Sequence, residues 1–279
     1  MRLHRVLPLA ALLAAVVFVL AGVAAVSPAR SALTWAPAAT ASVHPGVQTD
    51  TQGAQCTANF VYFDAANVYI GQAAHCSGTG GNTQTDGCTS PTLPVGTQVA
   101  VQGASKPGTM VYNSWVTMQS NGEKDANTCA FNDLALVQLD PADVGKVNPS
   151  VPRWGGPTGL ASSTAMLEQV YSYGNSSLRA GITQLSPKTG VSLGSDSGNW
   201  NNTVYTLTPG IPGDSGSGFL NSTGQAFGIL STVQILPLAG ANGVGGLANE
   251  LNYLHSHVSA FSGVQLANGT EAFRGGLPL

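Results

Sequence analysis

The sequence has few charged residues and no run of charge of one sign. Lys, Arg, Asp and Glu make up 8% of the 279 residues, and the formal net charge is -3. Proteins that bind nucleic acids cluster Lys and Arg to neutralise phosphates, and no such cluster occurs here, so we expect no nucleic-acid partner. The scarcity of Lys, Glu and Arg also removes strong helix formers. With 35 glycines to form turns, the composition favours short strands joined by loops.

Motifs for metals and cofactors are missing as well. The four cysteines, Cys56, Cys76, Cys88 and Cys129, form no Cys-x-x-Cys pair, and no His-x-x-x-His cluster accompanies them. The sequence therefore predicts no metal and no cofactor. If the chain is exported, it reaches an oxidising compartment in which cysteines pair, so we expect disulfide bonds.

The N-terminus carries a signal for export. Arg2, His4 and Arg5 precede an apolar run over residues 6–26. Basic residues followed by an apolar stretch are typical of a signal peptide, but roughly 20 apolar residues could also span a bilayer. We interpret residues 1–32 as a signal peptide or a retained anchor, so the protein is secreted and meets a membrane only in the second case. Residues 33–50, rich in Ala, Thr, Ser and Pro, are interpreted as a linker or short propeptide.

Short apolar segments separated by turn residues fill the rest of the chain. Residues 60–63 and 68–70 predict a β-hairpin, and many short strands predict an all-β sandwich or barrel. Leucines and other apolar residues spaced three and four apart predict one C-terminal helix over residues 247–262. Further strands are predicted at residues 98–102, 110–118, 134–139, 169–173, 204–207, 216–220 and 227–233.

Ser215 lies in the segment GDSGSG, where glycines allow a tight turn. A serine hydroxyl becomes a strong nucleophile only when a neighbouring base takes its proton. In such a turn the backbone N–H groups of Gly213 and Ser215 could stabilise the negative oxygen of a tetrahedral intermediate. The segment alone is more typical of a surface turn, so the hypothesis needs a base and an acid.

His75 and Asp133 are the candidate base and acid. His75 ends the predicted hairpin in IGQAAHC, beside Cys76, and Asp133 begins an apolar strand in NDLALV. A carboxylate that enters the interior needs a partner, and an imidazole would provide one.

These three segments resemble the active-site segments of chymotrypsin-like serine proteases, and their order His, Asp, Ser is that of the family. The resemblance covers about residues 53–262 of a domain spanning residues 51–279. It implies an all-β fold of two six-stranded antiparallel barrels, at about 53–150 and 151–246, followed by the C-terminal helix. It also implies a serine endopeptidase that forms an acyl-enzyme on Ser215, with His75 as the general base and Asp133 as its orienting acid.

The resemblance implies further roles. Ser231 would help hold the acid and contact the substrate backbone, and Pro209 would lie at the base of the primary specificity pocket. Because no acid stands there, we expect cleavage after apolar or small residues. A bridge from Cys76 to Cys56 would fix the loop of the base and leave Cys88 with Cys129. The sequence leaves the other two pairings open.

Departures from the family are informative. No Arg or Lys precedes an Ile-Val-Gly-Gly activation segment, so Asp214, the acid before the nucleophile, needs another partner. Arg153 and Arg179 are the candidates. The missing activation segment makes the chain similar to the secreted bacterial branch of the family. We expect a monomer that acts on protein or peptide substrates.

Two alternatives remain at this stage. The first is a catalytically silent relative that binds a partner through the same scaffold. The second is an esterase of the α/β-hydrolase type with Glu250 and His255 or His257. The absence of a Gly-x-Ser-x-Gly elbow around Ser215 argues against it.

Overall fold

The computed structural model describes residues 33–81, 84–234 and 241–276. From Thr34 onward the chain forms one compact unit, Thr34–Leu279. The interpretation of residues 1–32 as a signal peptide or anchor therefore lies outside the described residues. In the described ranges no helix has the length and apolar character needed to cross a membrane.

The first half of the unit Thr34–Leu279 is an antiparallel sheet of eight strands. Its first hairpin turns at Gln52 and Gly53, whose φ values of 54° and 95° fit the two-residue turn that suits twisted strands. The order across the sheet is β14-β3-β4-β7-β6-β5-β1-β2. Its strands are β1 (Gln48–Thr51), β2 (Ala54–Thr57), β3 (Val61–Phe63), β4 (Val68–Ala73), β5 (Gln98–Val101), β6 (Gly108–Asn113), β7 (Leu134–Gln138) and β14 (Gln265–Leu266).

The second half is a closed barrel of six antiparallel strands in the order β10-β13-β12-β11-β8-β9. Its strands are β8 (Met166–Tyr173), β9 (Pro187–Asp196), β10 (Asn201–Thr206), β11 (Gly218–Leu220), β12 (Ala226–Gln234) and β13 (Ala241–Gly246). The predicted all-β class with a chymotrypsin-like arrangement is thus confirmed. The first sheet has eight strands rather than the six expected, because two strands join it from outside residues 53–150. Strand β1 pairs with β2 and β5, and β14 from the C-terminus pairs with β3 at the edge.

The helices only partly follow the sequence prediction. The C-terminal helix α3 (Leu247–His257) is present, and a single 3₁₀ turn, Ser259–Phe261, follows it. The strand predicted at residues 110–118 is wrong in its second half, where α1 (Ser114–Asn121) begins. The side chain of Asn113 accepts hydrogen bonds from the backbone of Trp115 and Val116, and this cap starts the helix. A second short helix, α2 (Ala126–Phe131), also had no sequence signal.

Residues 34–50, within the segment 33–50 interpreted as a linker or short propeptide, form backbone contacts with the first half. The N–H of Ala36 donates to the carbonyl of Val147 at 2.9 Å, and Val43 forms a bridge with Val147. Strand β1 then pairs with both β2 and β5. This stretch is therefore an integral part of the folded sheet, and its removal would expose two strand edges.

A shared core holds the two halves together. Phe60 and Tyr112 of the first half, Tyr171 and Ile229 of the second, and Leu254 of α3 belong to one buried apolar cluster. A separate cluster fills the second barrel with Val170, Val204, Phe219, Phe227, Leu230 and Val244. Because one core spans both halves, side chains that face each other across their junction can be held at fixed distances.

Candidate active site

His75 lies where β4 ends and a 3₁₀ turn, Ala74–Ser77, begins. The N–H of Ala74 donates to the carbonyl of Asp133 at 2.6 Å. The next residue, Cys76, forms a disulfide with Cys56 on β2. The imidazole is thus fixed from both sides, while a quarter of its side-chain surface, 25%, remains accessible.

Asp133 stands between α2 and β7 with its side chain only 3% exposed. Its Oδ1 accepts the backbone N–H of His75 at 2.8 Å, and its Oδ2 lies 2.7 Å from the Nδ1 of the same residue. The hydroxyl of Ser231 donates to Oδ2 at 2.6 Å. These three polar contacts offset the cost of burying the carboxylate. They also fix the orientation of the imidazole, whose Nδ1 faces Asp133 while its Nε2 does not contact this acid.

The surroundings of His75 raise the pKa of its imidazole. Burial disfavours the charged ring, but the charge of Asp133 and its hydrogen bond outweigh burial and raise the pKa of His75 above its ordinary value of 6.5. An imidazole with a raised pKa is a stronger base, as proton transfer from a hydroxyl requires.

Ser215 sits at the centre of a sharp turn between two glycines. Gly213 and Gly216 have φ values of 95° and 85°, a region that favours glycine. The carbonyl of Ser215 accepts the N–H of Thr57 at 2.8 Å, so the turn is tied to β2. A Cβ on Gly216 would lie 2.7 Å from the backbone N of Ala73, two residues before His75. Only glycine allows the turn that carries Ser215 to come this close to the end of β4.

The structure therefore brings the three predicted residues into one region, but it connects them unevenly. Side-chain hydrogen bonds join His75, Asp133 and Ser231. Within the described ranges, no hydrogen bond joins the hydroxyl of Ser215 to the ring of His75. Hydrogen bonds between a nucleophile and its base are often long in the absence of substrate.

The turn also presents two backbone donors. Asp214 donates to the carbonyl of Ile211 at 2.9 Å, and Gly216 donates to that of Leu230 at 2.7 Å. The N–H groups of Gly213 and Ser215, on either side of Asp214, have no protein acceptor among the described residues. Two free backbone donors on either side of one residue, beside a hydroxyl, are what an oxyanion site requires.

Asp214 is fully buried and contacts two cations. Its Oδ2 accepts a hydrogen bond from the guanidinium of Arg179 and lies 3.0 Å from the Nζ of Lys188. The N–H of Ser176 donates to Oδ1 at 3.1 Å. Of the two candidates named from the sequence, Arg179 is therefore the partner. Arg153 instead has its guanidinium carbon 5.9 Å from the ring centroid of Trp154.

Pro209, the residue expected at the base of the specificity pocket, is exposed and joined to the barrel through its backbone. Its carbonyl and that of Thr208 accept hydrogen bonds from Lys188 at 3.0 and 3.1 Å. The N–H of Gly210 donates to the side chain of the buried Asn242 at 2.9 Å. Side chains of β9 and β13 thus hold the segment that precedes Ser215.

Glu250 is a buried residue whose contact with the site the sequence did not reveal. It lies on α3, fully buried, and its Oε1 accepts the backbone N–H of Asp133 at 2.9 Å. Burial raises the pKa of Glu250 well above its ordinary value of 4.5, and the nearby charge of Asp133 raises it further. The hydrogen bond from the Asp133 N–H lowers the pKa but does not cancel this rise. Its spacing of three from Leu247 and four from Leu254 placed it on the apolar face of the helix, which was a readable signal.

All four cysteines are paired. Cys56 bonds to Cys76, and Cys88 bonds to Cys129 on α2, four residues before Asp133. One of the three connectivities left open by the sequence is therefore present, and the predicted disulfides are confirmed. Each bridge is close in sequence to one member of the His75–Asp133 pair.

The sequence matches no protein-family model, and no curated protein matches it. The structure is similar to protease A of Thermobifida fusca, with a TM-score of 0.53 and 18% identity, over 81% of this chain and 99% of that chain. It is also similar to a glutamic acid specific serine protease described as using a histidine triad in substrate binding, with a TM-score of 0.50, 16% identity and coverage of 81% and 100%. At these identities the similarity shows the chymotrypsin-like fold.

Proposed function

We propose that this chain is a secreted serine endopeptidase with Ser215 as nucleophile, His75 as general base and Asp133 as orienting acid. The observation that carries the proposal is the buried Asp133 carboxylate bound to both His75 and Ser231, beside a glycine-flanked serine turn. The two disulfides fit an oxidising compartment and support export.

In the proposed reaction, the Oγ of Ser215 attacks the carbonyl carbon of the scissile peptide bond while the Nε2 of His75 takes its proton. The Gly213 and Ser215 N–H groups stabilise the resulting oxyanion. His75 then protonates the departing amine, and an acyl-enzyme remains. A water molecule, deprotonated by His75, attacks the ester and releases the acid product. Asp133 holds the ring with Nδ1 protonated throughout and stabilises its charged form.

For specificity, we propose cleavage after apolar or small residues. Neither residues 204–211 nor residues 228–246 contain Asp or Glu, so no acid is available to bind Lys or Arg side chains. The Nζ of Lys188 is occupied by three acceptors, which disfavours its use for binding acidic side chains. Ser231 and Pro209 would contact the substrate. A monomer acting on proteins or peptides fits this proposal.

The glutamate specificity of one structural neighbour does not transfer readily to this chain. That protein is described as binding substrate with a histidine triad. Here His44, His255 and His257 hydrogen-bond to the carbonyls of Pro45, Val264 and Tyr253, outside residues 204–217. A comparable set of histidines at the pocket therefore lacks support.

A fluorophosphonate probe tests the proposal directly. We expect the full chain, exported and purified, to be labelled at one serine and to hydrolyse chromogenic peptides with Ala, Leu or Phe before the scissile bond. Ser215→Ala should abolish both signals. Ser222→Ala, at an exposed serine in the turn after β11, is the matched control and should retain both.

Lack of labelling in a folded wild-type protein would favour the alternative of a silent, protease-like binding protein. Rapid cleavage only after Arg or Glu would refute the specificity while leaving the reaction intact.

A further inference from the structure

Lys188 is an unusual residue for its location. It belongs to β9, its side chain is fully buried, and it lies in a chain with few charged residues. Burying an ammonium group is costly unless every hydrogen finds an acceptor. Lys188 meets this condition because its Nζ contacts the carbonyls of Thr208 and Pro209 at 3.1 and 3.0 Å and Oδ2 of Asp214 at 3.0 Å. A lysine ammonium has three hydrogens, so three acceptors complete its bonding.

Charge neutralisation alone does not explain this lysine. Arg179 already contacts the same carboxylate oxygen of Asp214, so one carboxylate faces two cations. A second buried cation beside the first is unfavourable unless it makes contacts that the first does not make. The distinguishing contacts of Lys188 are those with the carbonyls of Thr208 and Pro209, which lie six and five residues before Asp214.

One ammonium group thus ties together the two ends of a short segment, residues 208–214, which we call the floor loop. Its first end forms the proposed floor of the specificity pocket. Its second end contains Gly213, one of the two proposed oxyanion donors, and leads directly into Ser215, the other. Gly213, at the second end, has φ 95° and little intrinsic conformational restriction. The direction of its N–H therefore depends on the contacts that hold the loop.

We propose that Lys188 is a positioning residue that holds the floor loop in the conformation in which the N–H groups of Gly213 and Ser215 face the substrate. This inference rests on the proposed function. Lys188 touches neither the substrate nor the reacting atoms. It acts through Asp214 at one end of the loop and through two carbonyl groups at the other.

The test compares Lys188→Met with Lys146→Met. Lys146 also pairs with a fully buried carboxylate, Asp143, at 2.7 Å, but in the first half of the molecule. Both variants leave a buried acid without its lysine, so both should lower the melting temperature. We expect only Lys188→Met to lower kcat, by about 100-fold, which is the usual effect of losing one oxyanion donor. The KM for a peptide substrate should change less than kcat.

The dependence of kcat on pH provides a second test, because titration of a lysine with a purely structural role would not change kcat in the folded protein. Burial, and to a smaller degree the charge of Arg179, lowers the pKa of Lys188, while Asp214 opposes the shift. Loss of the proton at alkaline pH leaves two hydrogens for three acceptors. We expect kcat of the wild type to fall at alkaline pH while its near-UV circular dichroism is unchanged, and Lys188→Arg to move that fall to higher pH.

The outcomes separate this inference from the proposed function. If the wild type is neither labelled by fluorophosphonate nor active, the proposed function is wrong. If the wild type is active and Lys188→Met retains its kcat, or if Lys146→Met loses as much, the role of Lys188 is wrong. Should Lys188→Met fail to fold, the wild-type profile decides, because a kcat that stays constant until the protein unfolds overturns the inference.

Discussion

The two halves of the candidate site are held by different kinds of interaction. In the first half, two disulfides flank His75 and Asp133, and strand pairing fixes the backbone between them. In the second half no cysteine occurs, and the turn that carries Ser215 is held by the buried charges of Asp214, Arg179 and Lys188.

This difference has a chemical consequence. A disulfide restricts the unfolded chain at every pH, whereas an ion pair depends on the protonation of both partners. The backbone segments that carry His75 and Asp133 are therefore held by disulfides and strand pairing, which do not titrate, whereas the turn that carries Ser215 is held by ion pairs that do. Perturbing each half separately should reveal different responses.

The largest effect is expected from the acid that the two halves share. Asp133→Asn keeps the shape of the side chain but replaces the acceptor that fixes the tautomer of His75, so we expect kcat to fall by roughly 10⁴-fold. The charge of Asp133 also raises the pKa of His75. Because the neutral ring is the active form, the acid limb of the wild-type profile should lie above pH 6.5 and that of the variant at lower pH.

Peptide hydrolysis measured from pH 4 to 9 checks both expectations. Asp140→Asn is the control, because this acid forms a partly exposed ion pair with Lys106 on the surface. If the acid limb of Asp133→Asn is unchanged, it does not report the titration of His75. The first half of the site would then not contain the general base, and the contrast between the two halves would be wrong.

Removing the disulfides should give the next largest effect, on stability. The bridges span 20 and 41 residues, and the loop-entropy relation gives about 3 kcal/mol for Cys56–Cys76 and about 4 kcal/mol for Cys88–Cys129. Paired Cys→Ser variants, unfolded in urea, measure these free energies. If the Cys56–Cys76 bridge contributes more free energy than the Cys88–Cys129 bridge, local contacts around His75 rather than chain entropy determine how the disulfides stabilise the first half.

The sequence was sufficient for the residues whose chemistry appears as a local motif. The segments around His75, Asp133 and Ser215 each combine a reactive side chain with a characteristic neighbour, and their order agrees with one fold. Strand pairs such as β3 and β4 were also readable, because a short polar turn separates two apolar runs. The fold that these signals predicted is the one observed.

The sequence was not sufficient where a role depends on contacts between distant segments. Lys188 has no local pattern that marks it, since its three acceptors come from residues 20 to 26 positions later. Residues 34–50 have a linker-like composition, yet backbone hydrogen bonds to residues 146 and 147 order them. Helix α1 was missed because its start depends on one capping side chain, Asn113, within an apolar run.

The smallest expected effect concerns Glu250, whose contact with Asp133 connects α3 to the first half of the site. Because burial raises its pKa, the carboxyl group is neutral in the folded protein up to higher pH than in the unfolded chain. Glu250→Gln keeps the acceptor for the Asp133 N–H and should leave kcat unchanged. Glu250→Leu removes the acceptor, and we expect a loss of about 1 to 3 kcal/mol in unfolding free energy.

The pH dependence of stability sharpens this last prediction. A raised folded-state pKa stabilises the protein below the ordinary pKa of the group, and this contribution is lost as pH rises towards the folded-state value. Relative to the wild type, Glu250→Gln should therefore gain stability as pH rises above the ordinary pKa of 4.5, and the difference should vanish near pH 4. Urea unfolding at three pH values measures it. A wild-type protein that gains stability over Glu250→Gln as pH rises would show that Glu250 is ionised beside Asp133, and that the first half of the site also depends on buried charge.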